Sequence, residues 1–286
     1  MNELEARAIL FSSIEGGHSF WSQEIYGSSA LSVYEKLING SYDTIKFGQL
    51  IKEISSLSAD QILSSIANSG AQLIVPGDVF WPAKVEDLAA PPIALIAKGN
   101  LETLKSDSLA IVGTRNPTNY GARIAGDFAA GFVDRQWSIV SGGAYGIDSF
   151  AHKGALIAEG VTIAVIACGI DINYPAGNVR LFEEICESGA LLTEFMPGEK
   201  ALPHRFLTRN RLIAAISQAT LVVEAAFRSG SLRTARDAAE LMRPVMAIPG
   251  PINSPTSEGC HRLIGERAAE IVTSVADAVE FIGINQ

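Results

Sequence analysis

Residues 108–143 read SLAIVGTRNPTNYGARIAGDFAAGFVDRQWSIVSGG and carry the pattern that decides the fold. SLAIV is a short apolar run that ends in glycine, and WSIV is a second such run that leads into a glycine-rich turn. Between them, ARIAGDFAAGFVDRQ repeats its apolar residues at the three- and four-residue spacing of a helix face. A buried strand, a helix and another buried strand predict a βαβ unit with parallel strands.

The same alternation continues towards the C-terminus. Four more strands are predicted by the apolar runs TIAVIACG, ALLTEF, ATLVVEAA and PVMAIPG. Four more helices are predicted by the patterns IDSFAHKGALIAEG, NVRLFEEICESG, RNRLIAAIS and LRTARDAAELM. Continuous apolar strands separated by helices indicate a sheet covered on both faces. We therefore expect an α/β fold, an extended Rossmann-like domain with a doubly wound, mostly parallel sheet, over residues 71–286.

The first 70 residues have a different character. Apolar residues recur at helical spacing in LEARAILFSSI, ALSVYEKLING and SADQILSSIANSG, which are separated by breaks that contain glycine and serine. After them, short extended runs are interrupted by Pro76, Pro82, Pro91 and Pro92, which predicts a connecting hairpin or edge strands. We therefore expect a small helical domain over residues 1–70.

Composition excludes several classes of protein. The chain has 286 residues, of which 48% are hydrophobic, so it can bury a large core and differs from a disordered chain. No apolar stretch approaches the roughly 18 residues of a membrane span, and the acidic start MNELEARAIL is not that of a signal peptide, which indicates a cytoplasmic protein. The three cysteines and four histidines lack metal-ligand spacing, so we expect neither a disulfide framework nor a metal.

The charge of the chain is unevenly distributed. The formal net charge is −9, which argues against a protein that coats duplex DNA by bulk electrostatics. Residues 1–110 carry 7 basic and 13 acidic side chains, whereas residues 200–243 carry 8 basic and 3 acidic ones. A basic window is often only a solvated helix face, so its position in the fold must decide its role.

Three of the predicted strands lead into turns of small residues, namely Gly113-Thr114-Arg115, Ser141-Gly142-Gly143 and Ser229-Gly230-Ser231. The carboxyl ends of parallel strands meet at one edge of a sheet, where ligands bind. Small residues let backbone amides approach an anion, and helix N-termini attract negative charge. Because the chain lacks GxxxxGK[ST] and GxGxxG, the pattern predicts a phosphate-bearing ligand but neither a P-loop nor a dinucleotide motif.

Arginines and aromatic residues accompany these turns. Arg209 and Arg211 flank Asn210 at the predicted start of a helix, and guanidinium groups bind phosphate bidentately and stack on bases. The other arginines at predicted loop–helix junctions are Arg115, Arg228 and Arg233. The aromatic residues in or beside the loops are Tyr120, Tyr145, Tyr174 and Phe206. A row of cations beside exposed rings suits an unpaired nucleic-acid strand, although a core role for Phe206 is an equal alternative.

Catalytic patterns are sparse. Asp148 and His152 are four residues apart on one predicted helix face, which fits an acid–base pair, but a capping acid beside a packed histidine is the more ordinary interpretation. Glu224, at a strand end, fits either a ligand contact or a turn cap. We therefore expect no catalytic residues.

Six segments together resemble one known family. They are IVGTRNPTNYG, SGGAYGIDSFAHKGAL, TIAVIACGIDINYP, NRLIAAIS, VVEAAFRSGSLRTA and AIPGPINSPTSEGCHRLI, and in this order they are similar to the DprA/Smf (DNA processing protein A) family. The resemblance covers roughly residues 73–283. The helical start resembles that family's sterile-alpha-motif-like domain, and we expect no counterpart of the winged-helix-like domain of longer members.

The resemblance implies a homodimeric, non-enzymatic protein that binds single-stranded DNA, protects incoming DNA in natural transformation and loads the RecA recombinase, without a cofactor. It places DNA contacts on Arg115, Gly142, Gly143, Lys153, Arg209, Asn210 and Arg211, with Ser229, Gly230 and Ser231 nearby. From the residues themselves we add Gly113, Ser141, Phe206 and Arg233. The chain departs from the family at Tyr145 and Thr208, where basic residues are usual, and at Arg233, where an apolar one is common.

Two other functions compete with DNA binding. A nucleotide-binding Rossmann enzyme of the lysine-decarboxylase-like phosphoribohydrolase group would share the fold, but its PGGxGTxxE motif is replaced here by RSGSLRTA. A purely structural or partner-binding domain fits the acidic composition but leaves the arginine-rich turns unexplained.

Overall fold

In the computed structural model, which describes residues 1–283, nine strands form one mixed sheet. The strands are β1 (Gln72–Ile74), β2 (Leu95–Gly99), β3 (Ser108–Val112), β4 (Ser138–Ser141), β5 (Thr162–Val165), β6 (Ala190–Thr193), β7 (Ala219–Val222), β8 (Val245–Ala247) and β9 (Glu270–Ile271). The helices are α1 (Glu3–Ser13), α2 (Ser19–Gly27), α3 (Ala30–Ile38), α4 (Thr44–Ser56), α5 (Ala59–Asn68), α6 (Asn119–Val133), α7 (Ile147–Ile157), α8 (Val179–Ser188), α9 (Pro203–Ile216), α10 (Ser231–Glu240), α11 (Glu258–Gly265) and α12 (Val275–Ile282).

The order of the strands is β1-β2-β6-β5-β4-β3-β7-β8-β9. The seven strands from β6 to β9 run parallel, and β1 and β2 add an antiparallel pair at one edge. The predicted doubly wound, mostly parallel sheet is therefore confirmed. Of the connecting hairpin or edge strands expected around the prolines, β1 is an edge strand, whereas β2 lies between β1 and β6. Because β3 lies between β4 and β7, the direction of winding reverses beside β3, and a crevice opens there at the carboxyl ends of the strands.

The buried strands follow directly from their composition. Every residue of β3, β4, β5, β6, β7 and β8 is buried, as expected for strands with helices on both faces. One hydrophobic cluster joins the sheet to α9, α10 and α11, and another joins the opposite residues of β3, β4, β7 and β8 to α6, α7 and α12. The carboxyl edge of the sheet is thus the rim of a rigid core.

Five helices precede the sheet, where the sequence predicts three. Helices α1, α3 and α5 match the predicted segments, and α2 and α4 were missed. Ile54 is the only buried residue of α4, so little of its amphipathic face is packed in the core. Asp43 caps the helix by accepting hydrogen bonds from the amides of Ile45 and Lys46. In the sequence, Asp43 followed by Thr44 indicates the start of this helix.

The helical start and the sheet share a hydrophobic cluster. Ile9, Trp21 and Leu37 belong to the same cluster as Ile166 and Leu191 of the α/β part. The expected boundary at residue 70 stays a prediction, and the last three residues of the expected 71–286 domain lie outside the described part. No helix among residues 1–283 combines the length and the apolar character needed to cross a membrane.

Candidate nucleic-acid interface

Two adjoining cavities of about 300 Å³ each open at the carboxyl edge of the sheet. Arg115, Ala144 and Phe206 line both, so they form the wall between the cavities. The first cavity is otherwise lined by Asp148, by residues of α9 and α10 and by the loops after β3 and β7, and the second by Tyr145, Asn173, Tyr174 and neighbouring residues. We call the two together the edge groove. Of the predicted site residues it contains Gly113, Arg115, Gly142, Phe206, Arg209, Asn210, Ser229, Gly230 and Ser231.

In the wall between the two cavities, the guanidinium of Arg115 lies over the aromatic ring of Phe206. The guanidinium carbon of Arg115 lies 5.0 Å from the centre of the Phe206 ring, and the Tyr174 ring lies 5.6 Å from that of Phe206. Arg115 is exposed, whereas Phe206 is half-buried. The ring therefore holds an exposed positive charge at a defined place in the groove, without an ion-pair partner that would neutralise it among the described residues.

The turn after β7 supplies a helix N-terminus. The hydroxyl groups of Ser229 and Ser231 lie 3.0 Å apart, and Gly230 caps α10 without a side-chain hydrogen bond. Asn210 holds the turn in place by donating from Nδ2 to the carbonyl of Gly230 at 3.2 Å. Hydroxyl groups at a positive helix end form a surface that favours an anion.

The turn after β4 is different, because the protein supplies its own anion. One oxygen of the Asp148 carboxylate accepts from the amides of Gly142 and Ala144 at 3.1 Å and 3.3 Å. Burial raises the pKa of Asp148. The hydroxyl of Ser141 is buried and donates to the carbonyl of Ile111. The amides of Gly142 and Ala144 are therefore already paired with Asp148, and the DNA contacts expected at Gly142 and Gly143 stay predictions.

The predicted position of Arg209 and Arg211 at a helix start is wrong. Helix α9 begins at Pro203, six residues before Arg209, since Leu202 is extended and proline fits the first helical turn. Arg209 lies in the second turn and is only 4% exposed. Its Nη1 donates to the carbonyls of Gly142 and Val165.

Five predicted residues lie outside the lining of the edge groove, namely Ser141, Gly143, Lys153, Arg211 and Arg233. The Arg211 guanidinium pairs with Glu194, whose carboxylate also accepts from the amide of Gly17 in the helical start. Arg233 pairs with Asp237 at 2.7 Å. Lys153 is exposed on α7. Gly143 is buried beside Phe182 with φ of +66°, which explains why glycine is required in that turn.

Asp148, His152 and Glu224 each have a structural partner. The Nδ1 of His152 lies 2.7 Å from the hydroxyl of Thr162, and burial lowers the pKa of His152 to about 3. Glu224 accepts from the amide and the hydroxyl of Thr118 at 2.9 Å and 2.6 Å, so it holds the start of α6. The capping interpretation fits both carboxylates.

Sequence reasoning missed Asn173 and Asn178. Asn173 lines the second cavity, and the Nδ2 of Asn178 donates to the carbonyl of Gly143 at 2.9 Å and so supports the β4 turn. Both follow the β5 run, so the strand-end argument applied to a fourth strand would have pointed to this loop.

Comparisons with known proteins agree with this architecture. The family model of DNA recombination-mediator protein A matches residues 72–283. A DNA processing protein DprA of Mycobacterium tuberculosis is 44% identical over 245 residues, which are 81% of this chain and 62% of that protein. The chain thus spans less than two thirds of that relative's length.

Two solved structures are similar as well. The X-ray structure of DNA processing protein A from Streptococcus pneumoniae superposes with a TM-score of 0.85 at 31% identity and covers 98% of each chain. DNA processing protein A from Helicobacter pylori, solved in a study of its single-stranded DNA binding mode, gives a TM-score of 0.68 at 29% identity, with 75% of this chain and 97% of that chain covered. From the match over residues 72–283 and these relatives it follows that the chain belongs to the DNA recombination-mediator protein A family, that of DprA and Smf.

Proposed function

We propose that this protein binds single-stranded DNA in the edge groove. The observation that carries the proposal is the exposed Arg115 guanidinium, held over Phe206 between two cavities at the switch point of the sheet. Phosphates would lie against Arg115 and the Ser229–Ser231 turn, and unpaired bases offer faces to the aromatic wall. The naming of the H. pylori relative for single-stranded DNA binding supports the choice of ligand.

The proposed DNA contacts fall into two groups, those that line the groove and those that lie beyond it. Direct contacts are proposed for seven of the nine predicted residues that line the groove, namely Gly113, Arg115, Phe206, Asn210, Ser229, Gly230 and Ser231. Lys153, Arg211 and Arg233 stay predictions, as contacts to a strand that continues beyond the groove. Since these groups meet mainly phosphates, sequence preference is expected to be weak.

The wider role follows from the family. We propose that the bound strand is protected and passed to the RecA recombinase during natural transformation or recombination, as the family description of a recombination mediator suggests. A cytoplasmic location fits that role. The family match favours DNA binding over the alternative phosphoribohydrolase, and the structural partners of Asp148, His152 and Glu224 support a protein without catalysis.

Arg115→Ala tests the proposal. We expect weaker binding of all labelled single-stranded oligonucleotides, about equally for different sequences, and a log K against log salt slope that is shallower by about 0.7. Fluorescence anisotropy over a series of salt concentrations, with single- and double-stranded oligonucleotides, measures both quantities.

The matched control is Arg135→Ala, just after the C-terminal end of α6 on the opposite rim of the sheet. It should leave affinity and slope unchanged. An Arg115→Ala protein with the wild-type slope, or a wild-type protein that does not bind single strands, would contradict the proposal.

We also propose a homodimer, formed at the β9 edge of the sheet. Both residues of β9 are exposed, and Ile264, Ile271 and Phe281 line a cavity beside them, with Met242 93% exposed at the end of α10. An edge strand flanked by apolar groups is a template for pairing with a second chain.

Light scattering after gel filtration tests the dimer. The wild type should have the mass of two chains, and Ile271→Lys should have the mass of one, because a lysine at an edge opposes strand pairing. Ile157→Lys, at the exposed end of α7, is the control and should remain dimeric. A wild-type monomer would refute the dimer while leaving the DNA proposal intact.

A further inference from the structure

The backbone N–H and the backbone carbonyl of Gly142 each have a side-chain hydrogen-bond partner. Its N–H donates to the Asp148 carboxylate at 3.1 Å, and its carbonyl accepts from Nη1 of Arg209. A Cβ at position 142 would lie 2.3 Å from that same nitrogen. The absence of a side chain at Gly142 therefore makes room for the Arg209 guanidinium. This contact explains the glycine at position 142 without a bound ligand.

Two of the three guanidinium nitrogens of Arg209 donate within the protein. Besides the carbonyl of Gly142, Nη1 donates to the carbonyl of Val165 at the end of β5, and Nε donates to Oδ1 of Asn210. Burial lowers the pKa of Arg209 to about 10, so the guanidinium is still charged at neutral pH, with Asp148 as the nearby opposite charge. A bidentate contact to a phosphate through Nη1 would require Arg209 to release a carbonyl, and one through Nε would require it to release Asn210.

Asp148 takes the place that an anionic ligand would need. The amides of Gly142 and Ala144 both donate to one of its oxygens, so the β4 turn already surrounds a carboxylate. Ala144 lines both cavities of the edge groove. The position of this turn therefore sets the shape of the wall between the cavities.

We infer that Arg209 and Asp148 are positioning residues, which bracket the turn at 142–144 and hold the groove open in one shape without touching DNA. For its binding readout, this inference rests on the proposed function. It makes a prediction that separates it from a phosphate contact at Arg209: affinity depends on the pair, but the number of ions released on binding does not.

Arg209→Met and Asp148→Asn test the bracket by anisotropy at several salt concentrations. We expect Arg209→Met to weaken single-strand binding about tenfold, because two buried carbonyls lose their donor, with the wild-type salt slope. Asp148→Asn should also weaken binding, again without a change of slope. If Arg209 touched phosphate, its loss would make the slope shallower by about 0.7, and removing the Asp148 charge would tighten binding.

Rescue distinguishes positioning from a general loss of stability. Arg209→Lys keeps a charged donor for the carbonyls and should bind within about threefold of wild type, with thermal unfolding recorded for every variant. Should Arg209→Met not fold, Asp148→Asn decides by the same two readouts. A shallower slope in Arg209→Met, or tighter binding by Asp148→Asn, would overturn the inference.

Hydrogen exchange gives a readout that needs no DNA. In the wild type, the amides of Gly142 and Ala144 should be protected. Asp148→Asn and Arg209→Met should speed exchange in peptides that cover 141–148, whereas Arg209→Lys should stay close to wild type and peptides of the β8 region should be unchanged in all variants. Unchanged exchange at 141–148 in Asp148→Asn would refute the bracket, whereas a wild type that shows protection but does not bind DNA would refute only the proposed function.

Discussion

His152 connects helix α7 to strands β5 and β4, and its ring is in one neutral tautomer. The hydroxyl of Thr162 donates to the carbonyl of Ile139 at 2.7 Å, so it must accept from His152, whose Nδ1 therefore carries the proton. The ring is fully buried in α7, and burial lowers its pKa to about 3. A histidine in this state ties α7 to β5 and β4 and supplies no proton to a reaction.

The stability of the fold should therefore depend on pH through His152. Its pKa is about 3 in the folded protein against 6.5 ordinarily, so between these values the unfolded chain binds a proton that the folded chain does not. We expect the free energy of unfolding to fall as the pH is lowered from 6.5 towards 3, by at most about 1.4 kcal/mol per pH unit from this group.

Urea unfolding of wild type and His152→Gln at a series of pH values measures this contribution. The variant should be less stable at pH 7, and its deficit should shrink as the pH falls, since only the wild type must keep a histidine neutral. A deficit that is the same at pH 7 and pH 4.5 would contradict the assignment.

Helices α6 and α7 approach each other through two glycines. A Cβ on Gly154 would lie 2.7 Å from the Cα and the carbonyl oxygen of Gly126, whereas a Cβ on Gly126 would point into open space. The close approach fixes α7, whose first residues follow the β4 turn of the edge groove. The contact between the helices thus helps to define the site.

The two glycines should respond in opposite ways to the same substitution. Gly154→Ala forces the helix backbones apart and should destabilise the protein by about 1–3 kcal/mol. Gly126→Ala meets no neighbour and should stabilise it by about 0.5–1 kcal/mol, because alanine favours the helix. Urea unfolding checks both, and similar effects of the two alanines would show that the helices do not meet as described.

Elements differ in how far the sequence predicts them. Strands β3 to β8 were recognised because burial on both faces requires continuous apolar runs. Strand β9 was missed because its two residues are both exposed and carry no such run. Helix α9 was predicted too short because its first turns, which contain Arg205 and Phe206, have no simple apolar stripe. Its polar residues there are held by ion pairs that only the folded chain forms.

The helical start is tied to the α/β part by packing and by charge. The two parts share one hydrophobic cluster, which contains Trp21 and Ile166. Arg205 on α9 pairs with Glu15 at 2.7 Å, and Glu194 accepts from the amide of Gly17. Separating the parts would expose apolar surface and break the ion pair between Arg205 and Glu15, which is costly.

Unfolding is therefore expected to be a single transition. In the double variant Trp81→Phe with Trp137→Phe, fluorescence reports only on Trp21 in the helical start, whereas far-UV circular dichroism reports on the whole chain. The two thermal midpoints should coincide, as they do for one cooperative unit. A lower midpoint for Trp21 fluorescence would show that residues 1–70 unfold separately.

Patterns in the amino-acid sequence predict the alternation of buried strands and helices, the edge at which small residues collect and the family to which the chain belongs. These are local properties, since periodicity, turn residues and motif spacing act over a few neighbours along the chain. Which groups remain free at that edge is a property of the folded chain. Arg115 stays exposed on Phe206, while Arg209 and Asp148 bracket a turn and Arg211 pairs with Glu194. The reason is that burial and pairing depend on residues far apart in the chain, which no spacing records.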